Sequence, residues 1–359
     1  MTLSLNSTTS RPHDRRGCLT REVRLPSIHR AASEGIARAL SSVATLWFSV
    51  VALCWAWATV AGEPKAVFVI LDGIPADVIE RVSTPNLDAI AKVGAYGRAQ
   101  VGGPVGEPGE TPTVSAPGYM NLVTGTWANK HNVYGNYNLS PNYSYWNIFR
   151  LAKAVNPAVK IGIFSTWTDN RTVLLGEGQP EAGGWQFDYV ADGFEKDAAR
   201  FPPQPSDAHI ALIDHLVSTE AARVIEQEGP DLSWVYLQHT DDIGHEQGDG
   251  EAFDQAVAEM DAHTGRVWSA VLARAASHDE DWLVIVTTDH GRDADTGREH
   301  EGHTERERTI WIVTNSLRLT PRFGEMPEIV DIFPSVARHL GITIPDRVAR
   351  HLDGQTFIH

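Results

Sequence analysis

Short runs of β-branched and apolar residues recur along this chain between longer amphipathic stretches, and three of them stop abruptly at a carboxylate. "AVFVILDG" (66–73) runs into Asp72, "LSWVYLQHTDD" (232–242) into Asp241, and "WLVIVTTDHG" (282–291) into Asp289 and His290. Two more such runs are "VKIGIFST" (159–166) and "RTIWIVTN" (308–315). The stretches between them have helical periodicity. "TPNLDAIAKVG" (84–94) starts after Thr84 with Pro85 in the first helical position. "DAHIALIDHLVSTEAARVIEQEG" (207–229), "EAFDQAVAEMDAHTGRVWSAVLARAA" (251–276) and "DIFPSVARHLGI" (331–342) follow. Strands alternating with helices predict an α/β fold: a mainly parallel central sheet with helices on both faces. No internal repeat or low-complexity linker interrupts residues 63–359, so that stretch is read as a single domain.

The first 62 residues differ. Residues 1–38 carry seven arginines against three acidic residues, and Ala39 to Gly62 carry no charge. The apolar run "VATLWFSVVALCWAWATVA" is long enough to span a bilayer. It also has the form of a signal peptide with a long basic leader, ending in small residues near Ala58 to Ala61. A cleaved signal and a retained membrane anchor through residues 39–62 fit equally well, and a buried core helix is the weaker third reading. Either of the first two leaves the positive flank in the cytoplasm and exports the body, to the periplasm, the outside or the outer side of the membrane. Both cysteines, Cys18 and Cys54, lie in this segment, so a metal in the body must be held by His, Asp and Glu. A formal net charge of -16 argues against non-specific nucleic-acid binding.

In a parallel sheet the carboxyl ends of the strands share one edge, where α/β proteins bind ligands. Asp72, Asp241 and Asp289 would therefore gather in space although they are far apart in the chain, with His245 and His290 beside them. Carboxylates that close repel one another unless a cation neutralises them. The two histidines point to a transition metal, and zinc accepts this mixture of oxygen and nitrogen. Each signal alone is weak, because an Asp after a strand is commonly a turn residue or a helix cap. Their conjunction is what carries weight. A nucleophile is available in "TPTVSAPGYMNLVTGTWANKHNVYGN" (111–136), which follows the Gly/Pro-rich loop "VGGPVGEPGETPTV" (101–114). Ser115 stands where that loop enters a helix near Pro117, at a terminus that favours anions. The plainer role for Ser115 is as the cap of that helix.

The set "LDG", "TVSAPGYMNLVTGTWANKHNVYGN", "HTDDIGH", "TTDHG" and "EGHTERERTIWIV", with the closing "DIFPSVARHLGI…DGQ", resembles the alkaline phosphatase superfamily over about residues 64–357. It is most similar to the branch of type I phosphodiesterases/nucleotide pyrophosphatases and phosphate-irrepressible alkaline phosphatases. The resemblance implies an alkaline phosphatase-like catalytic domain with two divalent metal ions, usually Zn2+. Asp241, His245 and His303 match the ligands of one metal, and Asp72, Asp289 and His290 those of the other, which also binds Ser115. His303 is preferred to His300 because "GHTERER" just before "TIWIV" matches the motif; His131, His239 and His263 match no role.

The chain also departs from the pattern. Nucleotide pyrophosphatases usually carry threonine at the nucleophile and asparagine three residues later, where this chain has Ser115 and Gly118. "SAPGY" is closer to the phosphatase-like branch, whose substrate-binding asparagine matches Asn136. That branch also grips a dianionic monoester with a Lys and an Arg on a later loop. Arg171 fits the arginine, but no lysine stands nearby, which leans the reading towards a diester. The expected activity is hydrolysis of small-molecule phosphodiesters or nucleotide pyrophosphates through a phosphoseryl intermediate on Ser115. A phosphomonoesterase of the same superfamily is the alternative, and a catalytically inactive envelope binding protein the less favoured one. A sulfatase would need a formylglycine precursor in a C/S-x-P-x-R context, and "SAPGY" has no arginine. The aromatic-rich stretch 167–193 is read as part of the substrate wall.

Overall fold

The computed structural model describes residues 62–359; the basic segment, the apolar run up to Ala61 and both cysteines lie outside them. The strands are β1 (Glu63–Leu71), β2 (Ala95–Gln100), β3 (Ile161–Ser165), β4 (Tyr189–Ala191), β5 (Leu232–Leu237), β6 (Glu280–Thr287) and β7 (Thr309–Thr314). They form one seven-stranded sheet in the order β2-β7-β6-β1-β5-β3-β4. The five strands from β6 to β4 are parallel, while β7 runs antiparallel to both β6 and β2. The helices of eight or more residues are α1 (Pro85–Val93), α2 (Ser115–Thr124), α3 (Ile148–Val155), α4 (Ala208–Glu228), α5 (His239–Gln247), α6 (Glu251–Ser277) and α7 (Ile332–His339). Among the described residues no helix is long and apolar enough to cross a membrane.

The central strands are apolar along most of their length because both faces are covered, and the period-2 alternation of a strand divides their side chains between two cores. Phe68 and Ile70 of β1, Trp234 of β5 and Ile285 of β6 pack with Tyr119 and Val123 of α2, Phe149 of α3 and Val336 of α7. Val67, Val69 and Leu71 of β1, Val235 of β5 and Val286 of β6 face the other way, against Ile90 of α1, Val217 of α4 and Phe253 and Met260 of α6. Helices on both faces of a mainly parallel sheet are thus what the alternation of segments predicted. Each wholly buried side chain of this size contributes about 1.5–3 kcal/mol through removal from water.

Register is what positions the site. Leu71 pairs with Leu237, and Ile70 with Thr287, so the three central strands end level. Asp72, the start of α5 and residues 288–290 therefore leave the sheet side by side. Because β7 is reversed, the segment that enters it, 300–308, arrives at this same rim. One expected element is shorter than predicted. The strand read over 232–242 ends at Leu237, and the chain turns into α5, so Asp241 and His245 sit at i and i+4 on a helix.

Candidate functional site

At the end of β1, Asp72 is buried, and its two oxygens have different surroundings. Oδ2 accepts from Tyr236 Oη at 2.7 Å and from Tyr119 Oη, while Oδ1 has no partner among the described residues. At the end of β6, Asp289 Oδ1 accepts from the Gly73 amide at 3.1 Å, while Oδ2 is again unpartnered and buried. Between those two free oxygens stands His290. Its Nδ1 faces the Gly291 carbonyl at 2.9 Å, and since a carbonyl can only accept, the neutral ring carries its proton there. Nε2 is left as a bare lone pair. It lies 3.4 Å from Asp72 Oδ1, 3.4 Å from Asp289 Oδ2 and 3.4 Å from Ser115 Oγ.

Acceptors do not converge in a buried place without a cation or protons between them. Ligands about 2.0–2.1 Å from a tetrahedral ion stand about 3.4 Å from one another, which is the spacing found here. Electrostatics point the same way. Burial, followed by the charges of Asp289 and Asp241, pushes the Asp72 carboxyl well above the usual carboxylate range. Burial and the Asp241 charge push Asp289 up to about 7. Burial, and then His300, holds His290 well below the usual imidazole range. A divalent ion would draw both carboxyls back towards the ionised form, and the neutral His290 ring is already the form that ligates.

The second group sits on α5. Asp241 Oδ2 lies 3.4 Å from His245 Nε2, and His300 Nε2 lies 3.0 Å from that same nitrogen and 3.9 Å from Asp241 Oδ1. His300 Nδ1 faces the Thr113 carbonyl at 2.9 Å, so its Nε2 is also a bare acceptor. Asp241, His290 and His300 make one cluster able to hold an ion, and Asp72, Asp289 and His290 another. The other Asp241 oxygen is occupied by Arg292, whose guanidinium is fully buried and also donates to the Asp241 carbonyl at 2.7 Å. Burial raises the Asp241 carboxyl, but the Arg292 charge and the His245 bond outweigh it and hold the group below the usual carboxylate range. Room for Arg292 comes from Gly244, where an added Cβ would lie 2.2 Å from Nε.

Ser115 is the first residue of α2, and the N-cap is Val114, so its hydroxyl does not cap the helix. Asn136 accepts from the Ala116 amide at 2.9 Å through Oδ1, which turns its Nδ2 towards Ser115 Oγ at 3.4 Å. The helix is seated tightly on Asp289: a Cβ at Gly118 would lie 2.8 Å from the Asp289 carbonyl oxygen. A cavity of about 200 Å³ opens over this group, lined by Asp72, Ser115, Asn136, Tyr137, Trp167 and Gln238 among others.

The structure thus brings together Asp72, Ser115, Asn136, Asp241, His245, Asp289 and His290. It does not bring in two residues named from the sequence. His303 lies away from the cluster, with Nδ1 3.3 Å from Glu110 Oε1 and a backbone φ of 55°; the position beside Asp241 and His245 belongs to His300. Three residues of slack in an irregular segment suffice for that exchange. Arg171 does not face the cavity, because its guanidinium is fixed by Asp192 at 2.6 and 3.0 Å and by Glu177. Of the stretch 167–193, Trp167 reaches the cavity wall. Tyr119, Tyr236 and Arg292 were not foreseen. Gly244 in "HTDDIGH" was the one sequence hint of a bulky neighbour.

Residues 66–305, more than half of the chain, match the model of the family described as type I phosphodiesterase / nucleotide pyrophosphatase. No match was found among curated proteins. Solved structures similar to the fold include murine ectonucleotide pyrophosphatase/phosphodiesterase 5, an inactive form in complex with AMP, at 14% identity, 79% of this chain and 96% of that one, TM-score 0.55. Phosphonate monoester hydrolase of Agrobacterium radiobacter is 17% identical over 82% and 76% of the two chains, TM-score 0.54. A putative sulfatase from Bacteroides thetaiotaomicron is 13% identical over 82% and 73%, TM-score 0.58.

Proposed function

The chain belongs to the type I phosphodiesterase/nucleotide pyrophosphatase family, whose chemistry is phosphoester hydrolysis, and from that premise we propose that it cleaves small-molecule phosphodiesters or nucleotide pyrophosphates with Ser115 as nucleophile. The observation that carries this reading is the convergence of unpartnered acceptors on His290 Nε2 beside the Ser115 hydroxyl. Two divalent ions, zinc in this reading, would be held by Asp72, Asp289, His290 and Ser115 and by Asp241, His245 and His300, and would supply Lewis acidity and charge neutralisation.

The chain's own residues do the rest. Ser115 Oγ attacks phosphorus as the bond to one ester oxygen breaks and that alcohol leaves, giving a phosphoseryl enzyme that still carries the second organic group; water then attacks the same phosphorus, releasing the monoester and restoring the Ser115 hydroxyl. Asn136, anchored on the Ala116 amide, presents its Nδ2 to a non-bridging oxygen. Among the described residues no lysine or arginine lines the cavity, and Arg171 is already neutralised by two carboxylates. A singly charged diester suits such a wall better than a dianionic monoester. The sulfatase-like neighbours share the fold, but Tyr119 stands where a formylglycine precursor would carry arginine.

The catalytic unit, residues 63–359, is placed outside the cytoplasm in this reading, on the strength of the basic segment 1–38 and the apolar run 39–62. Fractionation of cells expressing the full chain with a C-terminal tag is expected to find the tag outside the cytoplasm; a cytoplasmic tag overturns that placement. For the reaction, rates on bis-p-nitrophenyl phosphate and p-nitrophenyl phosphate are compared with zinc-loaded protein. Faster diester cleavage is expected, and a preference for the monoester would return the assignment to the phosphomonoesterase alternative.

A further inference from the structure

The two phenols on Asp72 have no part in the chemistry just described. Tyr119 and Tyr236 are 0% and 2% exposed, and their hydroxyls are 2.8 Å apart. With Asp72 Oδ2 they close a triangle. A carboxylate oxygen can only accept, and two O–H groups aimed at Oδ2 occupy its lone pairs. What remains for ligation is Oδ1, which points at His290 Nε2. The phenols come from different elements. Tyr236 lies next to last in β5, opposite Ile70 of β1. Tyr119 follows Ser115 by four residues on α2, so both project from one face of that helix. The rings are held firmly: the two centroids lie 4.9 Å apart, and Tyr119 also packs edge-on against Trp167 and Trp234.

We propose that Tyr119 and Tyr236 are positioning residues that hold Asp72 to one-oxygen ligation and, through Tyr119, lock the nucleophile's helix to that ligand. The inference rests on the reading of Asp72 as a metal ligand. Without the phenols, Oδ2 would be a buried, unsatisfied oxygen whose natural partner is the cation itself. An Asp72 with both oxygens free would offer an ion one donor more than the single oxygen that faces His290 and Ser115.

The test uses Tyr119→Phe, Tyr236→Phe and the double variant of the full chain, each of which removes only hydroxyls. Chelator-stripped protein is titrated with Co2+ and Zn2+ against a chromophoric competitor, and the visible bands of the Co2+ form and the melting curve are recorded. The wild type is expected to take two equivalents. One of the two sites is expected to weaken about tenfold in each single variant and towards a hundredfold in the double variant, the range typical of partners that orient a ligand. The Co2+ bands are expected to weaken as an oxygen ligand is added, with the fold intact by melting. Unchanged affinity and unchanged bands in the double variant would overturn the positioning role while leaving the metal reading standing. A wild type that takes up no Co2+ would overturn both.

Discussion

Single residues decide most of the chemistry, and two histidines three apart in sequence show how sharply. His300 has its Nδ1 proton committed to the Thr113 carbonyl and offers Nε2 to the Asp241–His245 pair. His303 faces Glu110 instead. His300→Ala is therefore expected to lose one of two metal equivalents, whereas His303→Ala keeps both; elemental analysis after gel filtration separates the two, and the reverse pattern would restore the assignment made from motif spacing. Ser115→Ala is expected to retain both metals and fall to background turnover, since Asp72, Asp289 and His290 are untouched; near-normal rates would remove Ser115 from its role. The five carboxylates and histidines at Asp72, Asp241, His245, Asp289 and His290 were legible in the sequence because each lies at or just past the end of an apolar run. His300 was not, because an irregular segment with positive φ at Glu301 and His303 has no periodicity from which side-chain direction can be read.

Elements place these residues, and their legibility varied with burial. Strands with two covered faces, such as β1 and β6, read as continuous apolar runs. The edge strand β2, "AYGRAQ", is half-exposed and contains glycine, so its sequence carries no clear strand signal. The overrun of β5 into Asp241 has a similar cause: Gln238 to Asp242 have weak preferences, and the i, i+4 spacing of Asp241 and His245 was the helical cue. The reversed direction of β7, which brings His300 to the rim, follows from pairing with β6 and not from composition. The most exacting contact between elements is α2 on the end of β6. A Cβ at Gly118 would meet the Asp289 carbonyl oxygen at 2.8 Å and Asp289 Cβ at 2.9 Å, both part of a wholly buried wall. Gly118→Ala is expected to push Ser115 away from His290 and cost roughly 1–3 kcal/mol of stability. A displacement near 1 Å at a nucleophile lowers rates by about a hundredfold. Steady-state kinetics beside urea unfolding measure both; full activity with unchanged stability would show that the helix has slack.

Burial holds several histidines below the usual imidazole range, and two of them away from the metal ligands, His131 and His263, shape how the molecule meets acid. His131 accepts from the Val133 amide through Nδ1 at 3.2 Å and donates through Nε2 to Asn121 Oδ1 at 2.9 Å. A second proton would have to sit on Nδ1, against an N–H that already points there. Burial holds this imidazole down at about 3, and burial with the neighbouring Arg266 charge does the same for His263. The folded values lie below the unfolded value near 6.5, so above that pH neither state takes the proton and the group costs no stability. As pH falls from 6.5 towards 3 the unfolded chain binds protons that the folded chain refuses, and stability is lost. Asp214 acts in the opposite sense: burial pushes it up to about 7, so the folded state holds an extra proton between the ordinary carboxylate range and neutrality. The two effects are separated by a difference measurement. The stability of wild type minus that of His131→Gln, both in excess chelator so that the metal ligands contribute equally, is expected to fall as pH drops from 6.5, with a limiting slope of about 1.4 kcal/mol per pH unit. A difference that stays flat across that interval would mean that folded His131 takes up the proton after all, and that the amide of Val133 yields to it.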